Sequence, residues 1–125
     1  RDQAPTEKSF MDKEDFIQAA PNMLQDIHDN MFARALAFRD ANILSCNEAE
    51  AFHAHWEKEN PGWLATPWAG TPEEEDALSK QHKITIRCLP LEDAGLPESL
   101  MSQVGDKCFL TGKQSRSVTL WGRSY

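Results

Sequence analysis

Three scattered cysteines, a histidine pair, an acidic run and a lysine in a glycine turn are the residues of this 125-residue chain with chemistry to offer. Cys46, Cys88 and Cys108 stand far apart, with no Cys-x-x-Cys among them, whereas structural zinc asks for four Cys or His ligands in two close pairs. An odd set of separated thiols fits a reduced cytosolic protein better than a disulfide scaffold. His53 and His55 flank Ala54 on a predicted helix, where residues two apart point about 200° apart and do not share a metal. They read as solvated helix histidines, and His28 and His82 have no ligand partners nearby in sequence. Glu73-Glu74-Glu75-Asp76 has the charge for a cation, but acids in a first helical turn are what the macrodipole favours. Gly105 and Gly112-Lys113 fail as a phosphate loop: six residues separate the glycines instead of four, and Gln114 stands where Ser or Thr should follow the lysine. No nucleophile, base and oxyanion group assembles from spacing. No catalytic residue is therefore assigned, and the chain is not expected to be a catalyst by itself.

The sequence closes on Trp121-Gly122-Arg123-Ser124-Tyr125, an apolar and cationic ending where domain ends commonly fray into small polar residues. Two accounts fit it: a last β-strand that stops there, or an end that is tied down so that its carboxylate can be used. Lys107, Lys113, Arg116 and Arg123 would form a local basic face beside the same segment.

The elements that position these residues follow from periodicity. From Glu14 to Ala41, apolar residues at Phe16, Ala20, Leu24, Ile27, Met31, Ala35 and Phe38 make one stripe at three-and-four spacing, a long amphipathic helix. Pro21 either starts the helix proper or joins it to a short leading helix at a kink. Ser45 with Glu48 has the form of a capping box for a second helix, with Ala49, Phe52 and Trp56 on its buried side, ending before Asn60-Pro61-Gly62. Trp63 to Thr66 is a short strand broken by Pro67. Thr71-Pro72 caps a third helix from about Pro72 to Gln81. Ile84 to Leu89 alternates in the period-two manner and is the strongest strand, closed by Pro90. Glu92 to Ser102 reads as a loop with one helical turn. Lys107–Leu110, a turn at Thr111-Gly112-Lys113, and Ser117–Trp121 make a C-terminal hairpin. Trp56, Trp63, Trp68 and Trp121 are expected in the core. The fold class is α+β: two N-terminal helices, a third short helix and a small, mostly antiparallel sheet.

Size allows one domain, 1–125. Forty per cent apolar residues suffice for a real core. Thirteen basic against twenty acidic residues give a formal charge of −7, a field that repels phosphate backbones, so the domain is not the main grip on a nucleic acid. No apolar run approaches the ~18 residues of a membrane span. With Arg1 in first place and no signal segment behind it, the chain is read as a cytoplasmic fragment of something longer.

Five stretches in register carry a resemblance: Leu24-Gln25-Asp26-Ile27-His28 with Met31-Phe32-Ala33-Arg34-Ala35; Ala65-Thr66-Pro67-Trp68-Ala69-Gly70; Ile86-Arg87-Cys88-Leu89-Pro90; Lys107-Cys108 with Gly112-Lys113; and Arg123-Ser124-Tyr125. In order and spacing they resemble the C-terminal domain of archaeal/eukaryote-type prolyl-tRNA synthetase. Arg1-Asp2 and Glu7-Lys8 are similar to the segment that leaves that family's anticodon-binding domain, so the resemblance implies that 1–13 is a linker from that domain.

The resemblance implies a C-terminal structural domain of a parent ligase that activates proline with ATP and Mg and transfers it to tRNA(Pro). Its partners would be the catalytic and anticodon-binding domains of the same chain, in a cytoplasmic homodimer. The alternative is a free-standing interaction module that kept the fold. The family domain often holds zinc with four cysteines. Carried over residue by residue, those positions are Ala69, Glu74, Cys108 and Thr111 here, so the resemblance implies a variant without the metal. The family also ends on a tyrosine whose carboxylate reaches the aminoacylation site, which makes Tyr125 the residue expected to touch function, with Arg123 beside it.

Overall fold

A computed structural model describes residues 6, 8, 10–92 and 94–124. The chain divides into two compact units, Arg1–Arg39 and Asp40–Tyr125. The first is a helical unit built on α1 (Lys13–Ala41), which continues two residues beyond it. Pro21 lies inside this single 29-residue helix, so the helix neither begins at the proline nor divides there. One missing N–H removes one ladder bond, and the remaining turns carry the element through. Phe16, Leu24, Met31 and Phe38 of the apolar stripe are all exposed.

The second unit holds β1 (Ile43–Ser45), α2 (Ala49–His55), β2 (Trp63–Trp68), α3 (Pro72–His82), β3 (Ile84–Cys88), α4 (Glu98–Met101) and β4 (Ser117–Arg123). The expected α+β class holds. The four strands form one sheet in the order β1-β2-β4-β3, with β1 parallel to β2 and the other pairings antiparallel. β4 is therefore an inner strand, gripped from both sides although it comes last.

The expected C-terminal hairpin is corrected in one respect. Lys107–Leu110 does not pair along β4. Its ladder shrinks to a single bridge, Lys107 with Gln114, while β4 takes β2 and β3 as partners. β4's two edges are filled by β2 and β3, and the 107–114 segment becomes a knuckle.

α3 begins as the sequence announced. The Thr71 hydroxyl accepts from Glu74 N at 3.3 Å, the Glu74 carboxylate accepts from Thr71 N at 2.7 Å, and Pro72 fills the first turn. The Ser45–Glu48 capping box does not form. Ser45 is used in β1 opposite Ala65, and Glu48 stands at the N-cap of α2 without a side-chain bond. Pro67 does not break β2, which runs on to Trp68. β1 covers only Trp63 to Ala65, so beyond it β2 is an edge strand on that side, where proline is tolerated. Between β1 and β2 the chain turns at Gly62 (φ +70°), where an added Cβ would sit 2.7 Å from the Asn42 carbonyl oxygen. Asn42 O also accepts from Trp63 N at 2.8 Å, which fixes that crossing.

Period-two alternation sorts the core to the two faces of the sheet. Leu64 and Trp121 face Phe52 and Trp56 from α2 and just after it, Leu78 of α3, Ile84 and Phe109. Ala65, Leu120 and Val118 face the other way, toward Leu100 of α4 and Ile43. Among the tryptophans, Trp121 and Trp56 are buried, Trp68 is half-buried against the same cluster, and Trp63 is exposed. A buried polar pair, Thr66 opposite Thr119, crosses the sheet with hydroxyls 3.2 Å apart. Trp121 Nε1 donates to Thr66 Oγ1 at 2.9 Å, which satisfies the indole inside the core. No described helix is long and apolar enough to cross a membrane.

Candidate functional site

The knuckle is assembled from the segment after α4 and the loop after β2. Cys108 N donates to Lys113 O at 2.8 Å, Gly112 N donates to Cys108 O at 2.9 Å, and Ser115 N donates to Asp106 O at 2.9 Å, which closes a tight double turn. Cys108 lies in its centre, 2% exposed. Burial pushes its thiol pKa up, but the Thr111 hydroxyl and the backbone N–H groups of Thr111, Ala69 and Leu110 donate to the sulfur. Together they bring it below the ordinary cysteine value.

Three of the four positions carried over as zinc-ligand sites, Ala69, Cys108 and Thr111, thus meet around one sulfur atom. Glu74, the fourth, spends its carboxylate on the cap of α3. Among the described residues no group of three or more His, Cys, Asp or Glu side chains converges. One thiolate, a methyl, a hydroxyl and a committed carboxylate do not match the donor set of a structural zinc. Packing holds the turn from the other side: the Phe109 ring stacks on Phe52 at 4.2 Å and lies 5.8 Å from Trp68.

The histidines read as solvated are placed differently. His55 is buried, edge-on to Trp56 at 4.7 Å, and burial, Lys58 and Arg123 all lower its pKa. His53, on the opposite side of α2, meets His82 of α3, with Nδ1 2.7 Å from Nε2 and the rings 4.9 Å apart. Burial and the neighbouring imidazole of His53 lower the pKa of His82, against a pull upward from Glu57. The hydrogen bond between the facing ring nitrogens ties α2 to α3. His53 and His82 are 29 residues apart in sequence, so short-range spacing could not reveal the pair.

The anticipated basic face divides. Lys113 and Arg116 line one cleft with Trp68, Ala69 and Gly70. Arg123 stands at the far end of β4 from Arg116, seven residues on, roughly 23 Å at the rise of a strand. There its guanidinium donates to two carbonyls just beyond α2, Trp56 O at 2.6 Å and Glu59 O at 3.2 Å. Arg123 is therefore a strut tying the end of β4 to the α2–β2 connection. Ser124 N donates to Lys83 O at 2.8 Å, which extends the grip one residue past the strand. Tyr125 lies outside the described residues. Arg87, to which the sequence assigns no individual role, donates to Arg123 O from β3. Its sequence-level signals were its place in the alternating strand and in one of the stretches that carry the family resemblance.

Residues 49–125 match the family model described as prolyl-tRNA synthetase, C-terminal. Among curated relatives, the proline–tRNA ligase of Akkermansia muciniphila is 38% identical over 126 residues, covering 100% of this chain and 24% of the relative. That of Phocaeicola vulgatus is 38% identical over 112 residues, covering 90% of this chain and 21% of the relative. The chain thus spans about a quarter of the length of the relatives it matches. The prolyl-tRNA synthetase of Cryptosporidium parvum, solved with halofuginone and AMPPNP, shares the fold at a TM-score of 0.75 and 19% identity, over 95% of this chain and 24% of that one. With the sheet, the knuckle and the held end of β4 in place, the matches agree that this chain belongs to the prolyl-tRNA synthetase C-terminal domain family.

Proposed function

We propose that this chain serves as the C-terminal structural domain of a cytoplasmic, homodimeric proline–tRNA ligase. The parent activates proline with ATP and Mg on a catalytic domain outside this chain and transfers it to tRNA(Pro). The domain braces the catalytic and anticodon-binding domains and presents the carboxylate of Tyr125 toward the aminoacylation site. The observation that carries this reading is the holding of β4: an inner strand whose last residues are bound to the end of α2 by Arg123 and to Lys83 by Ser124. A segment held in this way delivers whatever follows it in a fixed direction, as positioning chemistry requires.

The knuckle, in the same reading, works without zinc. Cys108 is satisfied by Thr111 and by backbone N–H groups, and the Phe52–Phe109 stack supplies the cross-link that a metal provides elsewhere.

The test is proline-dependent ATP–pyrophosphate exchange and tRNA charging by the full-length protein, with and without Tyr125. Charging with proline that falls on removal of Tyr125 supports both parts of the reading. Absence of both activities in the intact protein sinks the ligase assignment and leaves a non-catalytic interaction module with this fold.

A further inference from the structure

Ile86-Arg87-Cys88, a stretch that the proposed function has not absorbed, meets Gly122-Arg123-Ser124 at one point of the sheet. β3 and β4 pair Ile84 with Arg123, Thr85 with Gly122 and Ile86 with Trp121, after which the register shifts and Cys88 stands opposite Leu120. Arg87 is the extra residue at that irregularity. Bulges of this kind re-aim a side chain at the cost of local pairing.

The re-aimed side chain runs across Gly122. A Cβ built on Gly122 would lie 3.2 Å from both Cγ and Nε of Arg87, closer than ordinary side-chain contact, so the bare glycine is the track along which the arginine passes. At its end the guanidinium donates to the Arg123 carbonyl. That carbonyl belongs to the peptide leading into Ser124, whose own N–H is bound to Lys83 O. The two sides of one peptide plane are thereby fixed to β3 and to the α3–β3 turn. The Arg123 side chain is at the same time fixed to Trp56 O and Glu59 O.

We infer that Arg87, bulged from β3 and laid over Gly122, is a positioning residue that sets the direction in which the chain leaves β4 toward Tyr125. The inference rests on the proposed use of the Tyr125 carboxylate and names the part of this chain that aims it. Arg87 itself is exposed and contributes little to the core, so its loss leaves folding intact while releasing the peptide that precedes the tail.

The experiment is a double-mutant cycle in the full-length protein: Arg87→Met, removal of Tyr125, and both together, with kcat and KM for tRNA charging and the melting temperature read for each. Arg87→Met is expected to lower kcat about tenfold to a hundredfold, the cost of a misplacement near 1 Å. KM for proline and the melting temperature should stay close to those of the parent. In the double variant the loss should equal that of the Tyr125 removal alone, because two changes acting through one element do not add. Gly122→Ala should give an intermediate loss that disappears in the Arg87→Met background. If removal of Tyr125 impairs charging and Arg87→Met does not, or if the two losses multiply, the clamp is overturned while the reading of the tail stands. If removal of Tyr125 changes nothing, the role of the tail falls, and the clamp with it.

Discussion

Phe52 is the point at which the second unit is most exposed to a single change. Its ring is 0% exposed, stacks on Phe109 at 4.2 Å, and meets Trp56 at 5.9 Å and Trp121 at 5.5 Å edge-on. Phe52→Ala removes a buried ring from a core that cannot collapse around rigid indoles, so the cost belongs at the upper part of the ~3–5 kcal/mol range for such truncations. The aromatic pairings, about 0.5–1.5 kcal/mol for each favourable geometry, are lost within that cost and place it at the upper end. Against a total stability of about 5–15 kcal/mol this is about a quarter or more of the whole. For a domain of this size each kcal/mol moves Tm by about 4 °C, so a cost of about 4–5 kcal/mol gives a fall of roughly 16–20 °C. Thermal unfolding of this chain followed by far-UV circular dichroism measures it, with Leu91→Ala, at a 73% exposed position, as the control expected to move Tm by under about 2 °C. A Phe52→Ala shift no larger than the control's would refute the claim that the Phe52–Phe109 stack holds α2 and the knuckle together.

Three further outcomes follow from the same structure. Treatment with EDTA or a stronger chelator should leave the melting temperature unchanged, since no metal is proposed to hold the knuckle, whereas a collapse on chelation would show that Cys108 has found ligands after all. Thr66→Val leaves the Trp121 indole N–H without its acceptor inside the core and should cost about 1–3 kcal/mol in urea unfolding; a neutral result would mean that Thr119 or a backbone carbonyl takes its place. His55 and His82 both titrate below the ordinary 6.5 in the folded chain, so between the folded and unfolded values the unfolded chain binds more protons. Stability from these two groups is complete above about pH 6.5 and is lost as pH falls through their folded values. His82→Gln should flatten that slope, and an unaltered profile of Tm against pH would remove His82 from the account.

Local signals were legible in the sequence where one segment decides its own structure. Thr71-Pro72 with Glu74 fixes the start of α3 by bonds within four residues, and the Ile84–Cys88 alternation stands as β3. The α1 stripe was legible as helix, but its spacing says nothing about what covers it. The missed features all depend on distant partners. β1 has three residues and no pattern of its own; it exists because β2 offers an edge to Ile43-Leu44-Ser45. That same recruitment takes Ser45 from the capping box its spacing announced. β4 chose β2 and β3 over its neighbour Lys107–Leu110 because pairing in the centre of the sheet buries Val118, Leu120 and Trp121 on both faces. At the candidate site, the equivalent positions were legible from the family resemblance, but the sharing of one sulfur by Ala69, Leu110 and Thr111 N–H groups was not, since backbone donors leave no mark in a sequence.

The strand order has a consequence for how the unit comes into being. Until Ser117–Arg123 has been synthesised, β3 has no partner in the sheet, and β2 has none but the three residues of β1. A nascent chain that has emerged as far as Gln114 therefore carries two apolar strands with open edges, the form of chain most prone to pair with a neighbour. Completion of the sheet is a late, nearly all-or-none event, with Leu64 joined to Trp121 across 57 residues. A ribosome that stalls or stops early in this region produces no shortened version of the domain. It releases a product in which β2 and β3 keep open edges, a state that chaperones or proteases must intercept.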